Sequence, residues 1–436
     1  MLNYIWLALV LGAVLLGGLT GQLPAVTEAA FESAKTAVMT IALPLAGVMA
    51  LWLGIMRLAD KSGLMHALAR ALRPLMTRLF PEVPADHPAM GSMIMNMSAN
   101  MLGLANAATP LGLRAMQDLE KLNPRPGTAT NAMCTFLALN TSSVQLIPAS
   151  AVAILAAAGS VQPTAIIGTA LVATLCSTLA GLTAVKTLEK LPFYQLPPVS
   201  PADEAAKKTE AAASPEPVTA APPVPLALWS RLILAAFGVF FLFLLWRTAG
   251  QGYDGDRGWF ASYVTAISLL AIPFLLSFFP LYAVLRRVPV YEEFVEGAKE
   301  GMQVALRIIP FLVAILVAIG MFRGAGGIDL ISRALDPVFQ VVGFPAELLP
   351  MALMRPLSGS GSLGIFSELV ATHGADSLLA RMAGTIMGST ETTFYVLAVY
   401  FGSVAIRRTR HAVPAGLIAD FTGIVASIAI CRLVFA

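Results

Sequence analysis

The amino-acid sequence predicts an all-α polytopic membrane protein, and three observations carry that prediction. Of the 436 residues, 57% are hydrophobic and only 12% are charged, too little charge for the surface of a soluble fold. Apolar stretches of about 20 residues, enough to cross the hydrocarbon core of a bilayer, recur along most of the chain. These stretches are continuous, as in membrane helices, whereas the strands of membrane barrels alternate apolar and polar residues.

About nine transmembrane helices are predicted from the apolar runs. The first resembles the apolar core of a signal peptide, but it has no positively charged leader and no clear small-residue cleavage pattern, so we expect it to be retained. The nine predicted spans are 2–20, 36–56, 129–157, 163–185, 228–247, 260–282, 303–322, 382–404 and 412–435.

A segment of different composition separates the fourth and fifth spans. Residues 197–225 consist largely of Pro, Ala and charged residues and contain no aromatic side chain. Such a segment cannot bury a core, and it is predicted to be disordered. The chain is thus predicted to contain a membrane half at 1–190, a linker at 191–227 and a second membrane half at 228–436.

The two halves share an ordered set of residue patterns. Each has a Phe-to-Lys segment, then a span with an internal proline, and an arginine 13 residues after that proline. An amphipathic stretch and a Phe-Pro pair follow. The matching pairs are Phe31–Lys35 and Phe294–Lys299, Pro44 and Pro310, Arg57 and Arg323, Arg70–Pro74 and Arg333–Pro337, and Phe80–Pro81 and Phe344–Pro345. Matches in the same order predict an internal repeat.

After each Phe-Pro pair comes a stretch that is apolar at its ends and rich in Gly, Ser, Asn or Pro at its centre. These stretches are residues 90–110 and 349–364. A helix that breaks in hydrocarbon needs its backbone groups satisfied by protein, water or ligand, so two re-entrant helical hairpins are predicted. A surface loop between two spans is the alternative, although neither centre has the charge of an ordinary loop.

The distribution of basic residues predicts the orientation. With the N-terminus in the cytoplasm, most of the 28 lysine and arginine residues lie on the cytoplasmic side, as the positive-inside rule requires. Five crossings then separate the starts of the two repeat units, so the units insert in opposite orientations. Such inverted-topology repeats with broken helices occur in many secondary transporters. The predicted location is the inner membrane of a bacterial cell.

Polar residues inside apolar spans are costly and therefore mark candidate sites. The span after each hairpin contains such a segment, Asn140–Gln145 in the first half and Ser389–Thr393 in the second. We expect Glu391, a carboxylate in mid-span, to be desolvated and able to hold a proton or a cation. The candidate substrate- or ion-binding residues are Asn96, Asn100, Asn106, Thr109, Asn140, Thr141, Ser142, Gln145, Arg355, Ser358, Ser360, Ser362, Ser389, Thr390, Glu391, Thr392 and Thr393.

These candidates also have structural interpretations. Glu391 could form an ion pair with Arg355 of the second hairpin, and the asparagines of the first hairpin could hydrogen-bond between helices. The Ser-Gly run at 358–362 could present backbone amides to an anion at a helix N-terminus, or its small residues could permit close packing.

Cysteine and histidine residues give no sign of a metal or catalytic centre. The three cysteines and four histidines are scattered without metal-ligand spacing. No nucleophile–base pair or phosphate-binding loop is recognisable. We therefore expect no enzymatic activity, no cofactor and no metal. Basic residues cluster at span ends, which argues against a nucleic-acid partner.

Several motifs carry a family resemblance. Residues Asn100–Met116 (NMLGLANAATPLGLRAM) resemble the signature of the spore maturation protein A family. Arg355–Gly361 (RPLSGSG), Gly388–Tyr395 (GSTETTFY) and Tyr400–Gly402 (YFG) resemble that of spore maturation protein B. The resemblance covers nearly the whole chain apart from the linker, and it implies a fused A–B protein of the kind found in non-sporulating bacteria. It also implies a nucleoside recognition, or Gate, domain, which concentrative nucleoside transporters and ferrous-iron permeases share in divergent form.

Two functions agree with these features. The first is a secondary transporter of a small polar solute, with a nucleoside-like solute as one candidate, coupled to H⁺ or Na⁺ through Glu391. The second is a membrane scaffold that supports envelope, peptidoglycan or spore-type maturation without moving a solute. The expected partners are the lipid bilayer, the solute and H⁺ or Na⁺, and a homo-oligomer is a further expectation.

Overall fold

The structure, a computed structural model, describes residues 2–103, 105–196, 227–251, 258–327, 330 and 344–435. The segment predicted to be disordered, 197–225, and the Arg333–Pro337 stretch lie outside these residues, whereas 191–196 and 227 of the predicted linker lie within them. Within them, the helices are α1 (Leu2–Thr20), α2 (Leu23–Lys35), α3 (Leu43–Lys61), α4 (Leu64–Leu79), α5 (Pro88–Met101), α6 (Ala105–Lys121), α7 (Asn131–Thr141), α8 (Ala149–Ala157), α9 (Ile166–Leu188), α10 (Leu228–Gln251), α11 (Gly258–Leu285), α12 (Val290–Gly324), α13 (Leu349–Met354), α14 (Gly359–His373), α15 (Leu378–Ser389), α16 (Thr393–Ser403) and α17 (Ala412–Phe435).

Long apolar helices confirm the all-α polytopic membrane class. Among the described residues, five helical runs are long and apolar enough to cross a bilayer: Leu23–Lys61, Ile166–Leu188, Leu228–Gly250, Trp259–Leu285 and Ala412–Phe435. The span predicted at 36–56 is the centre of the first run, because a π-helical segment at Thr36–Ala42 joins α2 to α3 without a break.

Two of the nine predicted spans are interrupted. The run at 129–157 forms α7 and α8 with residues 142–148 between them, and the run at 382–404 contains the end of α15, then residues 390–392, then α16. Both interruptions fall on the polar segments of these spans. Hydroxyl and amide side chains offer the backbone partners outside the helix ladder, and Pro148 cannot continue a helix from the N-terminal side.

The two predicted hairpin segments each form a pair of helices joined by a short connection. In the first, α5 and α6 are separated by residues 102–104, where Gly103 adopts a left-handed conformation with φ of 74°, a conformation that glycine permits. In the second, α13 and α14 are joined by residues 355–358. The Ser358 hydroxyl caps α14 by accepting a hydrogen bond from the Gly361 amide at 3.0 Å.

The repeat-related helices α2–α3 and α12 pack against each other in opposite directions. A Cβ atom on Gly297 would lie 2.5 Å from the Leu53 carbonyl oxygen, so the backbones touch there. Gly54 packs on this end of α12, whereas Gly320 packs on Ser33 at the other end. Gly54 and Gly320 each precede the repeated arginine by three residues. Equivalent residues thus exchange contacts, as across a two-fold axis, which is the arrangement expected of an inverted repeat.

The repeated arginines lie at opposite ends of this helix pair. Arg57 bonds two carboxylates of α12, with Nε 2.7 Å from Glu293 and Nη1 2.6 Å from Glu300. Arg323, at the far end of α12, pairs with Glu368 of α14. Each arginine therefore ties its long helix to an element of the second half at its own end of the molecule.

Backbone contacts join the two halves at one end of the bundle, near the start of α7. The amides of Arg407 and Arg408 donate to the Gly127 carbonyl at 2.9 and 3.0 Å, and the Ala129 amide donates to Arg408. Arg410 adds side-chain bonds to the Ala129 carbonyl and to Asn131 Oδ1, at 3.1 and 2.8 Å. We call this set the backbone seam.

The carboxylate of Asp376 also joins the halves, at the opposite end. Asp376, between α14 and α15, accepts hydrogen bonds from the Ser160 hydroxyl at 2.7 Å and the Val161 amide at 2.9 Å. These bonds, that of Ser160 first, lower the pKa of Asp376 below its usual value because they stabilise the charged form. We call this contact the Asp376 seam.

Candidate functional site

The first broken span leaves backbone carbonyls without helical partners, and a neighbouring helix supplies donors for them. Ser143, just after α7, has a positive φ of 49°, which turns the chain out of the helix. The Thr174 hydroxyl of α9 donates to the Ser142 carbonyl at 3.0 Å and also to the Ser143 carbonyl. Since hydrocarbon tolerates no unsatisfied backbone group, α9 makes this break stable inside the bundle.

The second break is shorter and is held by a charged group. Thr390 is extended, with φ of −138° and ψ of 162°, so α15 ends there. Arg355, which is 3% exposed, donates to the Met387 carbonyl at 3.2 Å and to the Thr390 carbonyl and hydroxyl. A guanidinium group has five donors in a planar fork, and here that fork satisfies the end of α15.

The two breaks touch each other directly. The Glu391 amide donates to the Thr141 carbonyl at 3.0 Å, so the backbone of one break completes the other. Each break also bonds its own hairpin: the Leu146 amide donates to Met101 at 3.1 Å, and the Phe394 amide donates to Pro356 at 3.0 Å. The candidate site is therefore a crossing of two broken spans, each backed by the hairpin that precedes it.

On the first-half side of this crossing, neutral amides form a network that reaches the second half. Asn100 Nδ2 donates to Asn140 Oδ1 at 2.9 Å and lies 3.4 Å from Asn96 Oδ1. Asn96 donates to the Ala108 carbonyl at 2.7 Å. The Tyr400 hydroxyl of α16 lies 3.4 Å from Asn96 and 3.5 Å from Asn140. The structural interpretation of these asparagines as links between helices is thus realised for Asn96 and Asn100.

Glu391 is more accessible than its mid-span position predicts. Its side chain is 45% exposed, whereas that of Arg355 is 4% exposed, and the closest approach of their charged atoms is 3.9 Å. The protein itself therefore does not bury the Glu391 side chain, because the break turns it away from the packed interior. The desolvation expected of Glu391 stays a prediction. The hydrogen bonds of Arg355 go to the Met387 and Thr390 carbonyls and the Thr390 hydroxyl, and its contact with Glu391 is a longer ion pair.

Two packed helices form a wall behind the crossing. α9 faces the first break with Thr174 and with Thr178, which lies 3.1 Å from the Ser142 hydroxyl. α17 faces the second break, where Ser427 bonds Ser389 at 2.9 Å and Asp420 Oδ2 accepts a hydrogen bond from the Thr393 hydroxyl at 2.6 Å. The wall is neutral on the α9 side and carries a buried carboxylate on the α17 side.

The remaining candidate residues surround this crossing less tightly. Ser362 bonds the Ser358 carbonyl at 2.7 Å, and Ser360 lies 3.4 Å from the Ser358 hydroxyl, so the Ser-Gly run is engaged within its own helix start. Thr392 is 3% exposed and lies beside Gly359. Gln145 lies beside the Gly103 turn, and Thr109 is half-buried on α6. The side chain of Asn106 lies outside the described residues.

Three residues of the site were missed by sequence reasoning. Asp420 is 2% exposed and is the more deeply buried carboxylate of the two at the second break. Its signal was visible, since an ionisable residue within a span marks a candidate site. Tyr400 stood in a family motif without an assigned role. Thr174 had no signal of its own, because its role depends on the packing of α9 against α7.

In the described part of the chain, no group of three or more His, Cys, Asp or Glu side chains is arranged to hold a metal ion. The arrangement instead offers hydroxyls, amides, the two carboxylates of Glu391 and Asp420, and the guanidinium of Arg355 at the crossing. Such groups can bind a polar solute by hydrogen bonds. The assignment of these residues to binding stays a prediction.

Comparisons with known proteins match both membrane halves. The family model described as nucleoside recognition, or Gate, matches residues 42–158 and 305–407, segments that contain both hairpins and both breaks. Spore maturation protein B of Bacillus subtilis (strain 168) is 48% identical over 169 residues, which is 39% of this chain and 95% of that protein. Spore maturation protein A of the same organism is 43% identical over 182 residues, which is 42% of this chain and 92% of that protein. The resemblance drawn from the motifs is confirmed.

Proposed function

This multi-pass membrane chain belongs to the nucleoside recognition (Gate) family, and on that premise we propose that it is a secondary transporter of a small polar solute. A nucleoside-like solute is the first candidate, because the family is described by nucleoside recognition. The transporter would be coupled to H⁺ or Na⁺ and would lie in the inner membrane of a bacterial cell. The proposal includes no enzymatic step.

The crossing of two broken spans is the observation that carries this proposal. Glu391 and Thr141 join the breaks through one backbone hydrogen bond of 3.0 Å, while each break also bonds the hairpin that precedes it. Broken helices at the interface of an inverted repeat supply backbone and side-chain groups for a substrate near the bilayer midplane. A contact made of one bond between breaks can separate as the halves rock against each other.

Glu391 is the side chain we assign to the solute. It is 45% exposed, so its carboxylate has capacity to accept hydrogen bonds from a hydroxyl or amino group. Arg355 beside it donates its hydrogen bonds to the Thr390 and Met387 carbonyls. It therefore stabilises the backbone conformation of the break. Asn100 and Asn140 provide neutral amides on the facing side.

Uptake by purified protein in liposomes tests the proposal. A panel of labelled nucleosides, nucleobases, sugars and amino acids would be offered under an imposed H⁺ or Na⁺ gradient. We expect gradient-dependent accumulation of one class. Glu391→Gln keeps the size of the side chain but removes its charge. Because hydrogen bonds to charged groups are stronger than neutral ones, the substitution should raise the apparent KM roughly tenfold or more.

Glu296→Gln is the matched control, because it makes the same chemical change at an exposed site on α12, where Glu296 pairs with Lys299. We expect this variant to transport like the wild type. Normal uptake by Glu391→Gln would move the solute site to the Asn140–Gln145 segment. Absence of gradient-dependent uptake for every class by the wild type would contradict the transporter proposal.

A membrane scaffold is the alternative function, and the names of the relatives favour it. Both Bacillus subtilis relatives are described as spore maturation proteins. A scaffold would support envelope, peptidoglycan or spore-type maturation through partners in the membrane. It would complement a deletion strain while showing no flux in liposomes, and Glu391→Gln would then be tested for loss of complementation.

A further inference from the structure

A buried carboxylate lies directly behind the second break and takes no part in the proposed solute site. Asp420 is 2% exposed and lies on α17 between two glycines that bring this helix against the break. A Cβ atom on Gly416 would lie 2.9 Å from Thr393 Cγ2, and one on Gly423 would lie 2.6 Å from Thr390 Cγ2. The close approach of α17 therefore places Asp420 against the backbone that links α15 to α16.

Among the described residues, one oxygen of this carboxylate has a hydrogen-bond partner and the other has none. Oδ2 accepts the Thr393 hydroxyl at 2.6 Å, whereas Oδ1 is buried without a hydrogen bond. Within the described residues, no Lys, Arg or His side chain forms an ion pair with it. An isolated charge buried in an apolar interior is costly. The ionised form of Asp420 would therefore be stabilised by a positive ligand.

We propose that Asp420 is a proton-binding site whose Oδ1 gains and loses one proton as the second break moves. On binding, the proton forms an O–H bond at Oδ1 and the carboxylate becomes a neutral carboxyl group. On release, the electron pair stays on Oδ1 and the charge returns. The assignment of this proton to solute coupling rests on the transporter proposed above.

The surroundings favour a proton over a metal cation. Hard cations such as Ca²⁺ and Mg²⁺ collect six or more oxygen ligands, often including backbone carbonyls, and a monovalent cation would draw on the same oxygens. On the elements nearest Asp420, the carbonyls of Thr141, Thr390 and Ala419 each already accept one hydrogen bond, from Glu391, Arg355 and Ser177, so each has only part of its accepting capacity left. A proton needs no ligand beyond the free oxygen of the carboxylate.

Few charges face this site from the helices packed on α17. In the described structure, Arg355 and Glu391 act on Asp420 through space, from the second hairpin and the second break. α7 and α9 face it with hydroxyls and small side chains, and α11 meets α17 near Val434 through apolar residues. The other ionisable groups on the packed elements, none of them bonded to its carboxylate, are Cys134, Cys176, Lys186, Glu189, Tyr263, Tyr282, Arg381, Tyr395 and Tyr400.

Ionisation of Asp420 would act on the break through two groups. A charged carboxylate attracts Arg355, which in the present structure bonds the carbonyls at the end of α15. It also strengthens the bond from Thr393, because charge-assisted hydrogen bonds are the stronger kind. Loss of the proton therefore draws Arg355 and Thr393 towards α17. Protonation leaves Arg355 bonded to the carbonyls, which is the arrangement of the break in this structure.

Infrared difference spectroscopy of the full chain in liposomes tests this site directly. A pH titration should show the carbonyl band of a protonated carboxyl group in the wild type. That band should disappear in Asp420→Asn, which keeps an acceptor for Thr393, and should remain in Glu391→Gln. In Thr393→Val the band should remain but move to higher wavenumber, because its carbonyl loses a hydrogen bond. This variant keeps the test decisive even where Asp420→Asn does not fold.

The outcomes separate this inference from the transport proposal. A wild-type band that depends on Asp420, together with no uptake of any solute, leaves the proton site standing and contradicts transport. A band that is lost in Glu391→Gln instead, or that does not shift in Thr393→Val, overturns the assignment to Asp420. Replacement of choline by Na⁺ at constant pH should leave the band unchanged, and its loss on addition of Na⁺ would show that a cation occupies the site.

Discussion

The two broken spans hold the same place in the two repeat units but satisfy their backbones by different chemistry. At the first break, the Thr174 hydroxyl bonds the Ser142 and Ser143 carbonyls, and all of these groups are neutral. At the second break, Arg355 bonds the carbonyls, Glu391 lies in the break, and Asp420 lies behind it. The two repeat units share the broken-span architecture, but the charged side chains described here lie at the second break.

This difference indicates that the two breaks of the inverted repeat have different roles. Neutral hydroxyls and amides satisfy backbone groups at every pH, so the first break is suited to holding a fixed geometry. Carboxylates and a guanidinium change their interactions when a proton or a charged group arrives. The second break is therefore the part of the crossing that we expect to respond.

The largest expected effect concerns the inverted arrangement on which the comparison depends. In a chain whose three native cysteines are replaced, a cysteine at Arg70 should react with an impermeant reagent added from the cytoplasmic side only. A cysteine at His373, at the end of the second hairpin, should react from the opposite side only, as should one near Arg333. Labelling of both halves from one side would show that the breaks are not inverted copies.

Removal of the guanidinium should have the next largest effect. Arg355→Ala leaves the Met387 and Thr390 carbonyls without this donor, at a cost of roughly 1–3 kcal/mol of unfolding free energy for each. Thr174→Val removes a neutral hydroxyl whose single proton is shared between the Ser142 and Ser143 carbonyls, so it should cost only about 1 kcal/mol. Unfolding in mixed micelles measures both. Equal losses would show that the charged break is not more dependent on its donor than the neutral one.

The close approach of α17 to the second break gives a smaller effect. Gly423→Ala would place a Cβ atom 2.6 Å from Thr390 Cγ2 and should destabilise the protein by about 1–3 kcal/mol. Gly181→Ala, behind the first break, would place one 3.0 Å from Ala419 Cβ and should cost less. Gly47→Ala meets no atom within 4 Å and serves as the control, with a melting temperature at or above that of the wild type. Equal losses of stability in Gly423→Ala and Gly181→Ala would show that α17 does not pack more closely on the second break than the wall packs on the first.

The smallest effect concerns the seams that join the halves at either end. The pKa of Asp376 is lowered by the Ser160 and Val161 donors. Its charged form therefore stabilises the fold at pH values above the usual pKa of an aspartate side chain. That contribution is lost as the pH falls through the lowered pKa. The difference in melting temperature between the wild type and Asp376→Asn should therefore shrink on acidification. It should be small, because the side chain is 37% exposed and salt screens it. A difference that is independent of pH would contradict the role of charge there.

The local patterns in the sequence predicted much of the architecture. Glycine, proline and serine at the centres of apolar stretches located both hairpins, because each of these residues affects the conformation of the backbone at its own position. The order of repeated motifs predicted the internal repeat, and the five crossings between its two starts predicted the inversion, with which the antiparallel packing of Gly54 and Gly320 agrees. The polar segments at Asn140 and Glu391 marked the two breaks as candidate sites.

The interior of the site was not predictable in the same way. Averaged hydropathy counted each broken span as one continuous run, because three to seven unwound residues barely change the mean. The exposure of the Glu391 side chain depends on how the break turns. Asp420 is the one carboxylate among the 24 residues of α17, which apart from Arg432 near its end are otherwise apolar or small, and only the fold shows that it faces the break. The pairing of Asn100 with Asn140, 40 residues apart, likewise requires the packed structure.

The backbone seam has a consequence for how the protein is assembled. Its hydrogen bonds between Gly127 and Arg408, like the contacts of α3 with α12 and of α9 with α17, join the halves without the linker. Two separately translated halves would therefore be expected to associate through the same surfaces. What a covalent connection adds is a fixed one-to-one stoichiometry and a local concentration of each half that reaches about the millimolar range for a short tether. Gene fusion would then spare the cell the need to balance the expression of two membrane subunits.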